Sequence, residues 1–298
     1  APPPRANARP DTRPRARSHG QPGGWRREKY LELIREWVGR GVEIPDPYAP
    51  HLVRSAPHEV RRLLADGWKV CMTGRDQANV AAAATALAKE RSGDAVSWFA
   101  GDISVDADVR RLVAEVEDAW GAVDAVVNNA GILRDRMMFS MTEGDWDAVI
   151  NVHLKGTFAP SHHAAKYWRE KVKAGGEAFG RIVNTASPSG IYGNIGQSNY
   201  GAAKAGIAAF TIITAMELTK YGVTVNCLAP GAYTRMTKDL PGFAGMDEET
   251  QEKMAPRWIA VTTAWLCSDA AQNVTGRIFD IVGQRVGIAE QWRLGPTA

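Results

Sequence analysis

The sequence predicts an α/β fold built as a single doubly wound parallel-sheet domain. Two observations carry that expectation. From Glu59 onward, short runs rich in Val and Ile alternate regularly with longer helical patterns, which is the signature of repeated β-α units. The strand runs are also continuously apolar instead of alternating with polar residues, as strands covered by helices on both faces must be.

The elements follow in order. HEVRRLLADG is a helix that stops at Gly67 and passes into the apolar strand WKVCMT. QANVAAAATALAKER is Ala-rich and therefore strongly helical, AVSWFA is a second strand, and DADVRRLVAEVEDAW is a helix. AVDAVVNNAG reads as a strand running into a loop, and a long helical stretch covers about 143–173. RIVNTAS is a strand, 198–220 a helix, VTVNCLAP a strand, 257–270 a helix and RIFDIVG a last strand. Parallel units of this kind are joined by right-handed crossovers, and their ligands bind outside the carboxyl ends of the strands.

The front of the chain does not fit this pattern. Residues 1–40 form a basic, Pro/Arg-rich tail with a short amphipathic helix over 26–39, ended by Gly39, and residues 41–298 form the domain. The charge is lopsided. Residues 1–70 carry 14 Lys/Arg against 8 Asp/Glu, and the remainder carries 22 against 25. No nucleic-acid partner is expected, because Arg5, Arg9, Arg13, Arg15 and Arg17 are interleaved with Pro and not with stacking aromatics.

Composition excludes several other classes. With 298 residues, 45% hydrophobic and 23% charged, the chain is neither fibrous nor disordered. Every apolar run is interrupted before the roughly 18 residues that cross a bilayer, so no membrane partner is expected. Cys71, Cys227 and Cys267 are odd in number, far apart and set in apolar segments. They read as buried thiols of a reducing, cytoplasmic compartment, with no metal site.

The chemistry sits at the expected strand ends. Tyr200 and Lys204, four apart in NYGAAKAG, share one helix face, and an ammonium beside a phenol stabilises the phenolate for acid/base work. Ser187 ends the RIVNTAS strand thirteen residues earlier, where its hydroxyl can reach the same substrate oxygen. Asn129, Ala130 and Gly131 end another strand, and Asn151 lies within the long helical stretch.

Together these residues resemble the short-chain dehydrogenase/reductase family, whose marks are NNAG, a Ser thirteen before YxxxK, and a helix Asn. The resemblance spans about 59–290 and implies a Rossmann-like fold with an atypical N-terminal segment. It implies a catalytic tetrad of Asn151, Ser187, Tyr200 and Lys204, with Tyr200 as proton donor or acceptor. Lys204 would lower the phenol's pKa and hold the nicotinamide ribose. NNAGILRDRMMFSMTEGDWDAVINVHLKGTF and SGIYGNIGQSNYGAAK resemble the hydroxyacyl-CoA dehydrogenases of peroxisomal multifunctional enzymes and their bacterial relatives. That likeness implies a small-molecule substrate, a 3-hydroxyacyl thioester or a steroid-like alcohol, with 234–256 as its lid. It also implies a homo-oligomer, tetramer or dimer, paired through 143–173 and 198–220.

The resemblance places the cofactor against Asp102, Ile103, Asn129, Ala130, Gly131, Tyr200, Lys204, Pro230, Gly231 and Thr234. Arg75, just past the end of WKVCMT, offers a fork for a phosphate and favours NADP, while Asp76 beside it keeps NAD as the alternative. One mark is missing. The family's TGxxxGxG turn should put glycines near 50, 54 and 56, and this chain has Pro50, Arg54 and Ala56. A catalytically impaired scaffold working through its interfaces is therefore the competing expectation.

Overall fold

The computed structural model describes residues 57–90, 93–234, 237, 238 and 243–290. The basic tail, the expected 26–39 helix and the three positions that lack glycine lie outside the described residues.

The first half alternates as expected: α1 (Pro57–Ala65), β1 (Val70–Gly74), α2 (Gln77–Glu90), β2 (Val96–Ala100), α3 (Asp106–Trp120) and β3 (Ala125–Asn128). The second half continues with α4 (Glu143–Ile150), a π turn (Asn151–Lys155), α5 (Gly156–Lys173), β4 (Gly180–Thr185), α6 (Pro188–Tyr192), α7 (Ser198–Leu218) and β5 (Val223–Gly231). It closes with α8 (Glu248–Lys253), α9 (Arg257–Cys267), β6 (Ile278–Val282) and β7 (Arg285–Ile288).

The strands form two pieces among the described residues. β1 pairs β2 in parallel, and β3-β4-β5-β6 run in parallel in that order with β7 added antiparallel at the edge. β4 is buried along its whole length and β5 along most of it, as strands inside a helix-covered sheet should be. Ala125, Val126 and Val127 of β3 are only half-buried. The expected last strand, RIFDIVG, is thus followed by a hairpin partner in RVGI.

The core lies on both faces of the larger piece. Trp265, Leu266, Phe279 and Ile281 pack on one side, and Trp168, Ile182, Val223 and Val225 on the other. Trp168 also satisfies its indole N–H, which donates to the Val123 carbonyl at 2.6 Å.

The single helix expected over 143–173 is divided by the π turn. Pro160 inside α5 has no N–H for the Gly156 carbonyl, and it does so where the widened turn meets α5. Helix α7 with the turn that follows it, Ser198–Tyr221, is long and apolar enough in composition to cross a membrane, contrary to the reading of the sequence. Its inner face is Ala203, Ile207, Thr211 and Ala215 against the sheet, and its outer face exposes Ile213 and Met216.

Candidate active site

Beneath the site, four elements, β3, β4, α5 and α7, are tied through side-chain amides. The Asn128 amide at the end of β3 donates to Asn184 Oδ1 (2.8 Å) and to Ser161 Oγ (2.9 Å), and Asn184 donates to Thr211 Oγ1 of α7 (2.9 Å). All four side chains are buried, so each donor needs its partner, and the set fixes α7 against the strand ends.

Ser187 caps α6, its hydroxyl accepting from the Ser189 N–H at 3.2 Å. The same hydroxyl faces the Tyr200 phenol and favours its ionised form. Lys204, one helical turn on from Tyr200, is buried. Its ammonium donates to the Thr185 carbonyl at the end of β4 at 2.5 Å and stands 5.5 Å from the Tyr200 ring centre. Ser187, Tyr200 and Lys204 are therefore brought together at the carboxyl end of β4.

Gly190 makes this approach feasible. A Cβ there would stand 2.6 Å from the Ala205 nitrogen and 2.7 Å from the Lys204 carbonyl carbon and Cβ, so α6 lies directly on the α7 backbone.

The start of α7 is fixed from the other side by Asn199. Fully buried, it donates to the Arg134 carbonyl (3.1 Å) and the Asp145 carbonyl (3.2 Å) and accepts from the Tyr200 N–H (2.7 Å). Gln197 donates to Asp135 Oδ2 at 2.8 Å and accepts from Asn194 at 3.0 Å.

The charges are set mainly by burial. The Tyr200 phenol lies above its ordinary range, because burial outweighs the Ser187 hydrogen bond and the Asp135 charge adds to the rise. Burial brings the Lys204 ammonium down to about 8. The Lys204 ammonium donates to the Thr185 carbonyl and stands beside the Tyr200 ring, while burial pushes both groups toward their neutral forms.

His153 was not singled out from the sequence. It lies in the π turn two residues after Asn151, is 2% exposed, and meets the Tyr200 ring edge-on at 5.1 Å. Its Nε2 faces both the Ile132 N–H (3.0 Å) and the Ile132 carbonyl (2.8 Å), while Nδ1 is buried without a partner. Burial, then the Lys204 charge, lowers its pKa to about 4, so it is neutral at pH 7. Gly131 lets the ring approach, since a Cβ there would be 2.5 Å from its Cε1. The missed signal was the π turn itself, which no helical period reveals.

Of the remaining expected residues, Asn129 accepts from the Thr185 hydroxyl at 3.2 Å, and Ala130 and Gly131 lie exposed beside it. Pro230 and Gly231 end β5, and the Thr234 N–H donates to Thr237 Oγ1 at 2.8 Å. Asn151, Asp102 and Arg75 line a cavity of about 370 Å³ that Ile132, a partner of His153, also lines. Ile103 does not line it; its side chain packs over Gly156.

A dinucleotide fits the residues present. The cavity, with the Asp102 carboxylate in its wall, suits an adenosine, while Tyr200, Lys204 and the Pro230–Gly231 strand end suit the nicotinamide half.

A doubly wound sheet carrying a Ser-Tyr-Lys set at its strand ends defines a class of nucleotide-dependent oxidoreductase folds. Comparison with known proteins places the chain within that class: it belongs to the short chain dehydrogenase family, whose model matches residues 58–242. It is similar to hydroxyacyl-CoA dehydrogenase ChsB1 of Mycobacterium tuberculosis, 46% identical over 204 residues, which are 67% of this chain and 64% of that one. It is also similar to peroxisomal multifunctional enzyme type 2 of Mus musculus, 38% identical over 177 residues, 59% of this chain and 22% of that protein. The chain thus spans less than two thirds of the length of these curated relatives. A crystal structure of a short chain dehydrogenase from Mycobacterium avium superposes with a TM-score of 0.71 at 35% identity, covering 81% of this chain and 82% of that one.

Proposed function

We propose that the chain is an oxidoreductase interconverting a secondary alcohol and a ketone, the 3-hydroxyacyl/3-oxoacyl pair of a thioester, with NADP favoured over NAD. The observation that carries this is the convergence of the Ser187 hydroxyl and the Tyr200 phenol at the carboxyl end of β4. Two donors meeting at one point can hold a carbonyl oxygen and deliver a proton to it. The raised phenol is protonated at pH 7 and ready to donate, which suits ketone reduction. A nicotinamide bound beside Tyr200 and Lys204 would supply or take the hydride. Lys204, held by the Thr185 carbonyl and 5.5 Å from the Tyr200 ring centre, is placed to hold a nicotinamide ribose beside the phenol. The acyl substrate is supported by the likeness to a hydroxyacyl-CoA dehydrogenase, and NADP by the exposed Arg75 at the cavity.

A second reading, a catalytically impaired scaffold, is favoured by Pro50, Arg54 and Ala56 where the family has glycines. Titrating NADPH and NADH while following nicotinamide fluorescence separates the two. Micromolar binding, with turnover abolished but binding retained in Tyr200→Phe, supports the enzyme. No binding up to millimolar supports the scaffold.

Two further parts of the reading concern assembly and location. Phe158 of α5 meets Phe210 of α7 edge-on at 6.4 Å, and Phe158, Ile213 and Met216 are 49%, 55% and 76% exposed. An apolar face of that extent suits pairing with a second copy, as a dimer or tetramer. Cys71, Cys227 and Cys267 are free thiols, which suits a reducing cytoplasm.

A further inference from the structure

The loop after β3 and the start of α7 are sewn together beside Tyr200. The Arg136 N–H donates to the Gly196 carbonyl at 2.8 Å, and Arg136 pairs with Gln197 in a single parallel bridge. Asn199 holds the Arg134 carbonyl at 3.1 Å. Between these two ties lies Asp135, whose Oδ2 accepts from Gln197 Nε2 at 2.8 Å. Gln197 is buried and its Oε1 accepts from Asn194 at 3.0 Å, so its amide clamps the carboxylate to a segment three residues before Tyr200.

The clamped carboxylate has one oxygen to spare. Asp135 Oδ1 is shut off from water and meets no hydrogen-bond donor among the described residues. The guanidiniums on either side are turned elsewhere: Arg134 Nη1 donates to the Leu133 carbonyl and Arg136 Nη1 to the Asp135 carbonyl, both at 3.0 Å and both from exposed side chains. A negative charge held in place without an ion-pair partner acts on whatever titrates beside it.

The Tyr200 phenol is that neighbour. Four groups bear on it: the Ser187 hydroxyl after β4, the His153 ring from the π turn, the Lys204 ammonium one turn along α7, and Asp135. His153 is uncharged at pH 7 and the Lys204 ammonium is bound to the Thr185 carbonyl. Ser187 favours the phenolate, whereas Asp135 acts with burial to favour the phenol. We propose that Asp135 is a positioning residue of the reaction, whose clamped charge keeps the proton on Tyr200 so that the resting site is set for ketone reduction and alcohol oxidation opens only at higher pH. The inference rests on the oxidoreductase reading above. Reduction moves the phenol's proton to the ketone oxygen as a hydride from the nicotinamide reaches the carbonyl carbon, and a phenolate is left. Oxidation starts from that phenolate, which takes the hydroxyl proton as the hydride leaves for the nicotinamide.

The test reads the phenol directly. The ultraviolet band of the phenolate is followed against pH in the full chain, and subtracting the same titration of Tyr200→Phe isolates Tyr200 from the other tyrosines. Asp135→Asn keeps an oxygen for Gln197 but removes the charge, so its Tyr200 midpoint should fall, while Asp135→Glu should stay with wild type; circular dichroism at each pH checks the fold. The kinetic counterpart is the pH profile of kcat with NADP and a 3-hydroxyacyl thioester. Below the midpoint Asp135→Asn should oxidise the alcohol at least about threefold faster than wild type, and its reduction of the 3-oxo partner should fail at a lower pH. A substitution that only loosened the loop would slow both directions at every pH and leave the midpoint in place. That outcome, or a Glu variant that follows Asn, overturns the role of Asp135. Turnover with an unmoved midpoint sinks only that role, whereas a moved midpoint in a protein without turnover sinks the oxidoreductase reading instead.

Discussion

Replacing Lys204 by Met should make the protein more stable while removing its activity. The ammonium is buried and drawn down from its ordinary 10.5 to about 8, so at pH 7 holding it charged costs the fold about 3 kcal/mol. Met has similar length and no charge, and it forfeits only the hydrogen bond to the Thr185 carbonyl, worth about 1 kcal/mol. Cys227 offsets part of the fall, but burial dominates it and also pushes the thiol itself up to about 11. The net gain is about 2 kcal/mol, or roughly 4–8 °C in Tm for a domain of this size. The sign also fixes a pH signature. Between pH 8 and 10.5 the unfolded lysine holds a proton that the folded one has lost, so wild-type stability gains from Lys204 as pH rises through that window. The variant lacks the gain, and the difference between the two urea-denaturation curves at each pH isolates it. A Lys204→Met protein equal to or weaker than wild type at pH 7, or a difference independent of pH, would refute the assignment of a buried, destabilising ammonium.

Three other outcomes follow from particular contacts. Gly190→Ala places a Cβ 2.6 Å from the α7 backbone, so unfolding should be easier by about 1–3 kcal/mol and kcat should fall about a hundredfold as Lys204 is displaced; urea melts and turnover check both. His153, neutral in the fold with its pKa lowered to about 4, gives stability that is complete above pH 6.5 and is lost as pH falls toward 4. Acid unfolding should therefore be delayed in a His153→Gln variant that cannot titrate, and identical acid midpoints would contradict this. A double change Ile213→Glu, Met216→Glu puts two charges on the exposed face of α7 and should leave the core intact while yielding a monomer in sedimentation velocity; an unchanged assembly would move the interface elsewhere.

Much of the fold was legible because its signals are local. Continuous Val/Ile runs mark buried strands wherever they occur, and Tyr200 and Lys204 share a face by helical geometry alone. Ser187 was legible for the same reason, since it closes a strand and opens a helix. The chain periodicity also showed helix over 143–173, but not the π turn within it, which depends on Pro160 and on packing against α7. The short strand RVGI was missed because its pairing with β6 rests on register, not on composition.

The charges were not legible, and the reason is physical. A titration depends on how much water a group loses and on which partners face it, and both come from residues distant in the chain. Lys204 was placed beside the phenol by helical spacing, but its hydrogen bond to the Thr185 carbonyl and the weakening of its own charge by burial appear only in the fold. His153 stood unmarked until the fold placed Ile132 and Tyr200 around it. Asp135 came to bear on Tyr200 only when the loop after β3 met the start of α7. The order of residues was enough to name the family's chemistry, whereas which groups are dry, paired or left over was settled by folding, because burial is a property of the assembled chain and not of any segment of it.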